Sequence, residues 1–212
     1  MSEKLGKIAD SLLNGNVEEV SKVTQELLDE GTDPEEILQS GLFAGMEVVS
    51  KKFKDCEMFI PEVLRSAKAM QGAMEKLRPK LSEASSSQAG TVVTATVQGD
   101  LHDIGKNLAG MMMEGSGFNV IDMGIDQKTE DIVNAVKEHK PQILGLSALL
   151  TTTMPKMGEV VNALKEAGIR DQVKIMIGGA PVTDDFADEI GADAYAPNAS
   201  IGTEKALELI KG

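Results

Sequence analysis

Residues 91–118 read TVVTATVQGDLHDIGKNLAGMMMEGSGF. The first seven are β-branched or small and bounded by a turn, which predicts a buried strand. From Asn107 onward the spacing of Leu108, Met112 and Met113 predicts a helix. Between them lies GDLHDIGKN, residues 99–107, a polar strand-to-helix turn that carries His102, one of only two histidines in the chain. Asp100, Gly105 and Asn107 suit a capped turn. An imidazole is not needed for one.

The same unit recurs downstream. FNVIDMG (118–124), QILGLSAL (142–149), VKIMIGG (173–179) and ADAYAP (192–197) have strand composition. TEDIVNAVKEHK (129–140), MGEVVNALKEAG (157–168), TDDFADEIG (183–191) and TEKALELIK (203–211) have helical spacing. Five strands alternating with helices predict a doubly wound, Rossmann-like (flavodoxin-like) α/β domain with a five-stranded parallel sheet, and ligands at the strands' C-terminal ends. Three turns fall there: Asp100 to Gly105 after the first strand, Ser147 to Leu149 with Leu150 and three threonines after the third, and Gly178-Gly179-Ala180-Pro181 after the fourth.

Upstream the periodicity is helical throughout. EKLGKIADSLLNG, VEEVSKVTQELLDEG, DPEEILQSGLFAGMEVVSKKF and IPEVLRSAKAMQGAMEKLRPKL predict four amphipathic helices, a small bundle. Asp33 followed by Pro34 and two glutamates is a helix start, and the last helix ends by Arg78, before Pro79. SEASSSQAG, residues 82–90, reads as a linker. The expected organisation is a helical domain at 1–81, the linker, and the α/β domain at 91–212.

Composition removes several function classes. The net charge is −13, aromatics are 3% and there is no Trp, which disfavours nucleic-acid binding. No apolar run approaches the roughly 20 residues that cross a bilayer. The charged N-terminus and the single cysteine, Cys56, predict a reducing, cytoplasmic setting without an intrachain disulfide or a thiolate metal site. Cys56 is expected to pack half-buried, His139 to end a helix, and Met111 to Met113 to pack against the sheet. No HExxH, CxxC, GxSxG or phosphate-loop motif is present. Taken singly, His102 reads as a surface residue, Ser147 as a cap and Gly178-Gly179 as a tight turn; a Ser147/His102/Asp100 triad lacks a nucleophile elbow.

D-x-H-x-x-G, S-x-L and G-G, in that order and with 41 residues between Gly105 and Ser147 and 28 between Leu149 and Gly178, resemble the cobalamin-binding domain of methionine synthase, corrinoid methyl carriers and adenosylcobalamin mutases. Residues 1–80, above all KKFKDCEMFIPEVLRSAKAM, resemble the helical cap of the methyl-transferring branch. The chain is thus most similar to the corrinoid proteins of methanol, methylamine and betaine methyltransferase systems. That resemblance implies a cobalamin cofactor held base-off with His102 as the lower ligand of cobalt. Asp100 would orient the imidazole, and Thr153 would stand where methionine synthase has a serine. Asp103, Ile104, Gly105, Ser147, Leu149, Gly178, Gly179 and Ala180 would line the slot for the displaced nucleotide tail, with Asn198 and Ala199 beyond them. Thr151 would lie near the lower corrin face, and Phe53 and Ile60 of the cap above the metal. The cofactor would cycle between Co(I) and methyl-Co(III). The implied partners are a substrate-specific methyltransferase, an acceptor methyltransferase of tetrahydrofolate or coenzyme M type, and a reductive activator. No donor-activating site is evident, so the expected role is a carrier subunit. Three alternatives stand beside it. A mutase subunit should lack the helical domain, and a cobalamin-dependent regulator should carry a basic DNA-binding domain. A flavodoxin-like interaction module would bind no corrinoid.

Overall fold

The computed structural model describes residues 2–81 and 89–211, so most of the predicted linker, 82–88, lies outside the described residues. The described residues divide into two compact units, the first holding 2–81 with a short return at 114–117, the second the remainder.

The first unit is helical. Helix α1 (Ser2–Leu13) buries Leu5, Ile8 and Leu12 on one stripe, as its periodicity requires. Helix α2 (Val17–Asp29) opens on Asn16, whose side chain accepts from the Glu19 amide at 3.1 Å. Asp33 caps α3 (Pro34–Glu36) in the same way, accepting from the Glu35 amide. The sequence predicts one α-helix from there to Phe53. The structure instead widens into a π-helical stretch, Ile37–Phe43, before α4 (Ala44–Lys54). Gly41 and Gly45, in and just after this stretch, lie against α1: a Cβ on Gly45 would stand 2.9 Å from the Leu12 side chain and 3.0 Å from the Ala9 Cα. Close approach of two helices, invisible to periodicity, accompanies the irregularity. Helix α5 (Ile60–Leu77) completes the unit and ends before Pro79, in a short 3₁₀ turn. Cys56 corrects an expectation. It is exposed, at φ +60° in the turn after α4, because the chain reverses there rather than packing inward.

The second unit is a five-stranded all-parallel sheet. Its strands are β1 (Gly90–Thr96), β2 (Phe118–Asp122), β3 (Ile143–Ser147), β4 (Lys174–Gly178) and β5 (Ala194–Ala196), ordered 2-1-3-4-5. Interleaved are α6 (Ile104–Gly115), α7 (Thr129–His139), α8 (Pro155–Glu166), α9 (Asp184–Ile190) and α10 (Ala199–Leu209). Val92 to Thr96 of β1 are all buried, as a strand covered on both faces should be. One face packs Val93, Leu144, Leu146, Ile175 and Ile177 on α7 and α8; the other packs Val92, Ile143, Met113 and Ala206. The order reverses between β1 and β3, the switch point where such sheets open a crevice at their C-terminal ends.

Two helices begin three or more residues earlier than their composition predicts. Helix α6 starts at Ile104 rather than Asn107. Helix α10 starts at Ala199 rather than Thr203, because Asn198 caps it by accepting from the Ile201 amide at 2.9 Å.

Candidate functional site

At the switch point the C-terminal ends of β1, β3 and β4 meet, tied by Val97 donating to the Ser147 carbonyl and Ala148 to the Gly178 carbonyl. Asp100 sits behind these turns with no exposed surface. Its Oδ1 accepts from the His102 amide at 3.1 Å and lies 2.7 Å from His102 Nδ1. Its Oδ2 accepts from the Leu149 amide at 2.7 Å, the Leu150 amide at 3.2 Å and Thr153 Oγ1 at 2.7 Å. Burial alone would raise the carboxyl's pKa. The hydrogen bonds from Thr153, His102 and Leu149 outweigh it and hold the group well below the usual carboxylate range.

An ionised Asp100 decides the tautomer of a neutral ring. Nδ1 must carry the proton that faces the carboxylate, which leaves the lone pair on Nε2. The ring is half exposed, so Nε2 is available to a ligand. The turn is further fixed by Thr96 Oγ1, which donates to the His102 carbonyl at 3.1 Å. The result is a ready electron-pair donor held by a buried anion.

Thr153 answers whether a threonine can complete this chain. Its hydroxyl reaches Asp100 while also lying 2.9 Å from the Leu150 carbonyl, and its methyl packs 3.5 Å from where a Cβ on Gly99 would be. Thr153→Val, which keeps the shape and removes the hydroxyl, should cost about 1–2 kcal/mol in urea unfolding, whereas Thr153→Ser should cost less than half as much.

Beside His102 a cleft of about 480 Å³ opens between the turns. His102, Asp103, Ile104, Gly105, Ser147, Leu149, Gly178, Gly179, Ala180, Asn198 and Ala199 all line it, so eleven of the sequence-predicted positions come together. Asp100 and Thr153 stand behind the wall. Thr151 does not line the cleft; it is exposed in the turn before α8. Phe53 and Ile60 belong to the helical unit, Phe53 half-buried on α4 and Ile60 exposed at the start of α5 beside Phe59, whose side chain is 67% exposed. The floor is Thr94, Ala109, Met113, Gly145 and Met176, mostly apolar and none of it expected from the motifs.

Sequence reasoning also missed an ion pair between Lys106, buried on the cleft wall, and the exposed Asp122. Lys106, nearly without exposed side chain, donates to Asp122 Oδ1 and, at 2.7 Å, to Asn107 Oδ1. Asp122 also accepts from the Gly124 amide and lies 3.3 Å from Thr94 Oγ1. Burial pushes the Asp122 carboxyl up, but Lys106 and these donors pull it below its ordinary value. The only sequence signal was a lysine one residue after the motif glycine.

Comparison with known proteins then bears on the site. A B12 binding domain model matches residues 90–201, and a second model of that description matches residues 5–78. Trimethylamine corrinoid protein 1 of Methanosarcina acetivorans is 44% identical over 200 residues, 93% of each chain. The chain belongs to the B12-binding corrinoid protein family. Dimethylamine corrinoid protein of Methanosarcina barkeri is 40% identical over 209 residues, 98% of each chain. Among solved structures, the methanol:cobalamin methyltransferase complex MtaBC from Methanosarcina barkeri matches with a TM-score of 0.91 at 32% identity, covering 99% of this chain and 80% of that one. A cobalamin-binding protein from Desulfitobacterium hafniense matches with a TM-score of 0.79 at 36% identity, covering 97% and 98%.

The geometry of this corrinoid protein fits a B12 group. A Cβ on Gly105 would meet nothing within 4 Å, so the helix start leaves open space where a tail would run. Glycine at 178 and 179 keeps the opposite wall at backbone thickness, and the floor offers apolar atoms to a planar base. The donor nitrogen stands at the cleft's edge. Among the described residues no cluster of three or more His, Cys, Asp or Glu is placed to hold a bare metal ion, and no helix is long and apolar enough to cross a membrane.

Proposed function

We propose that this corrinoid protein holds cobalamin with His102 as the lower axial ligand and the nucleotide tail in the adjoining cleft, and carries methyl groups between two methyltransferases. The observation that carries the reading is the His102–Asp100–Thr153 chain at the edge of a glycine-walled cleft. A neutral imidazole is a good cobalt ligand, and its basicity rises when the second ring nitrogen donates to a carboxylate. Bound cobalamin would supply a cobalt nucleophilic enough to take a methyl group from one enzyme and release it to another.

The protein's own part is proton and ligand management. With its lone pair unshared, Nε2 could instead take a proton. The ionised Asp100 faces the resulting imidazolium and stabilises it, while Thr153 and the amides of Leu149 and Leu150 hold the carboxylate still.

Relatives carry names drawn from trimethylamine and dimethylamine. A shared carrier fold with differently named donors supports donor choice lying in the substrate-specific methyltransferase. An acceptor methyltransferase, of tetrahydrofolate or coenzyme M type, and a reductive activator complete the set, in the cytoplasm. Apo-protein mixed with hydroxocobalamin should stay red after desalting, and His102→Gly should alter the bound cofactor's absorbance spectrum. A colourless wild-type protein would sink the reading. An unchanged spectrum in His102→Gly would remove the ligand assignment.

A further inference from the structure

We propose that Asp126, on the loop after β2, is a positioning residue for His102, resting on the reading of His102 as axial ligand. The loop carries no donor to the cleft, yet it is laced along the histidine-bearing turn. Thr96 donates its amide to the Gly124 carbonyl at 3.0 Å, and Gln127 donates back to the Thr96 carbonyl at 2.9 Å. Beyond that pair the contacts pass to Asp126. Its amide donates to the Asp100 carbonyl at 3.0 Å, and its Oδ1 accepts from the Gly99 amide at 2.7 Å.

These two bonds bracket the residue that orients the ring. Asp100 must offer Oδ1 to His102 and Oδ2 to Leu149, Leu150 and Thr153 at once, so its backbone has little freedom to rotate. Asp126 fixes the Gly99 amide ahead of it and the Asp100 carbonyl behind it. Gly99 itself stands at φ +83°, a conformation that does not stiffen the turn by itself. Asp126 also adopts a left-handed backbone, φ +53°, one of three described non-glycine residues to do so. Strained conformations persist where their surroundings fix them, and an aspartate tolerates this one better than most residues. Asp126 is exposed and lines no part of the cleft. It therefore acts on the ligand only through the turn.

The test separates acceptor from backbone. Asp126→Asn keeps an acceptor and tolerates the left-handed region; Asp126→Gly relieves the backbone and removes the acceptor. In the apo-protein, Asp126→Gly should speed amide exchange at Gly99 by about tenfold, the loss of one good hydrogen bond. It should also broaden or lose the His102 Nδ1 proton signal, with Asp126→Asn close to wild type in both. With cob(II)alamin bound, the electron paramagnetic resonance splitting from an axial nitrogen, assigned to histidine by ¹⁵N labelling, should weaken by about half or more in Asp126→Gly and return in Asp126→Asn. Undiminished histidine splitting in Asp126→Gly would overturn the proposal, whether or not Gly99 exchange changes. If wild type itself lacks a histidine splitting, the ligand reading fails, and the His102 Nδ1 signal alone decides whether Asp126 positions the ring. Should Asp126→Gly not fold, Asp126→Glu displaces the carboxylate and is expected to shift both readouts the same way.

Discussion

Asp100→Ala should destabilise the α/β unit by about 3 kcal/mol and abolish histidine ligation of a bound corrinoid. The substitution leaves the Leu149 and Leu150 amides without their acceptor and deprives Thr153 of one of two; a lost partner costs on the order of 1 kcal/mol or more for each buried donor. It also frees the imidazole to rotate and to choose either tautomer. Urea unfolding followed by circular dichroism reads the first effect, and the cob(II)alamin nitrogen splitting reads the second. The pH dependence carries a sign. Asp100 has a folded pKa depressed below the unfolded value, so its contribution to stability is fully present above the ordinary carboxylate pKa of about 3.9 and is lost as pH falls through the folded value. The Asp100 carboxylate's own share of the stability gap between wild type and Asp100→Ala should therefore be complete at about pH 5 and shrink below about pH 4. A gap that widens as pH falls below about 4 would contradict an ionised, hydrogen-bonded Asp100.

That carboxylate marks where sequence reading succeeds and where it stops. The alternation of apolar runs with helical segments is local, and it carries the sheet, its five strands and the positions of the three turns. The D-x-H spacing is local as well, but the pairing of Asp100 with His102 was implied by the resemblance that the spacing carries, and the structure makes it a 2.7 Å contact. Thr153 reaches the same carboxylate from 53 residues away, and only the resemblance to a serine-bearing family pointed to it. Asp126 meets Gly99 across 27 residues through a backbone amide, which leaves no compositional trace. Lys106 and Asp122 pair across 16 residues, a contact that no motif marks. The early start of α10 is set by Asn198, which the resemblance placed beside a nucleotide tail; the residue lines the cleft and caps the helix at once. The π-helical stretch lies where glycines meet another helix, again a contact between distant residues.

Gly179→Ala should be the most damaging single-methyl change in the α/β unit, while Gly105→Ala should leave the fold intact and still impair corrinoid binding. A Cβ on Gly179 would lie 1.8 Å from the Ala148 carbonyl oxygen and 2.8 Å from its carbon. Those atoms are backbone, pinned where Ala148 donates to the Gly178 carbonyl at 3.2 Å, so they cannot yield as a side chain would. The residue also sits at φ +135°, a region that L side chains rarely adopt. Relief requires parting the ends of β3 and β4, at a cost of about 3 kcal/mol or more in unfolding free energy. The same movement displaces the cleft's thin wall, so hydroxocobalamin affinity should fall by about a hundredfold, the equivalent of roughly 2.7 kcal/mol. At Gly105 the physics is the reverse. Its Cβ would meet no atom within 4 Å, its φ is not positive, and alanine is the better helix former. Gly105→Ala should therefore unfold at or slightly above the wild-type urea concentration. Its methyl projects into space that only a bound tail would use, so the loss should appear in cobalamin titration and not in stability. Equal cobalamin affinity in Gly105→Ala and wild type would mean that the tail does not pass the start of α6.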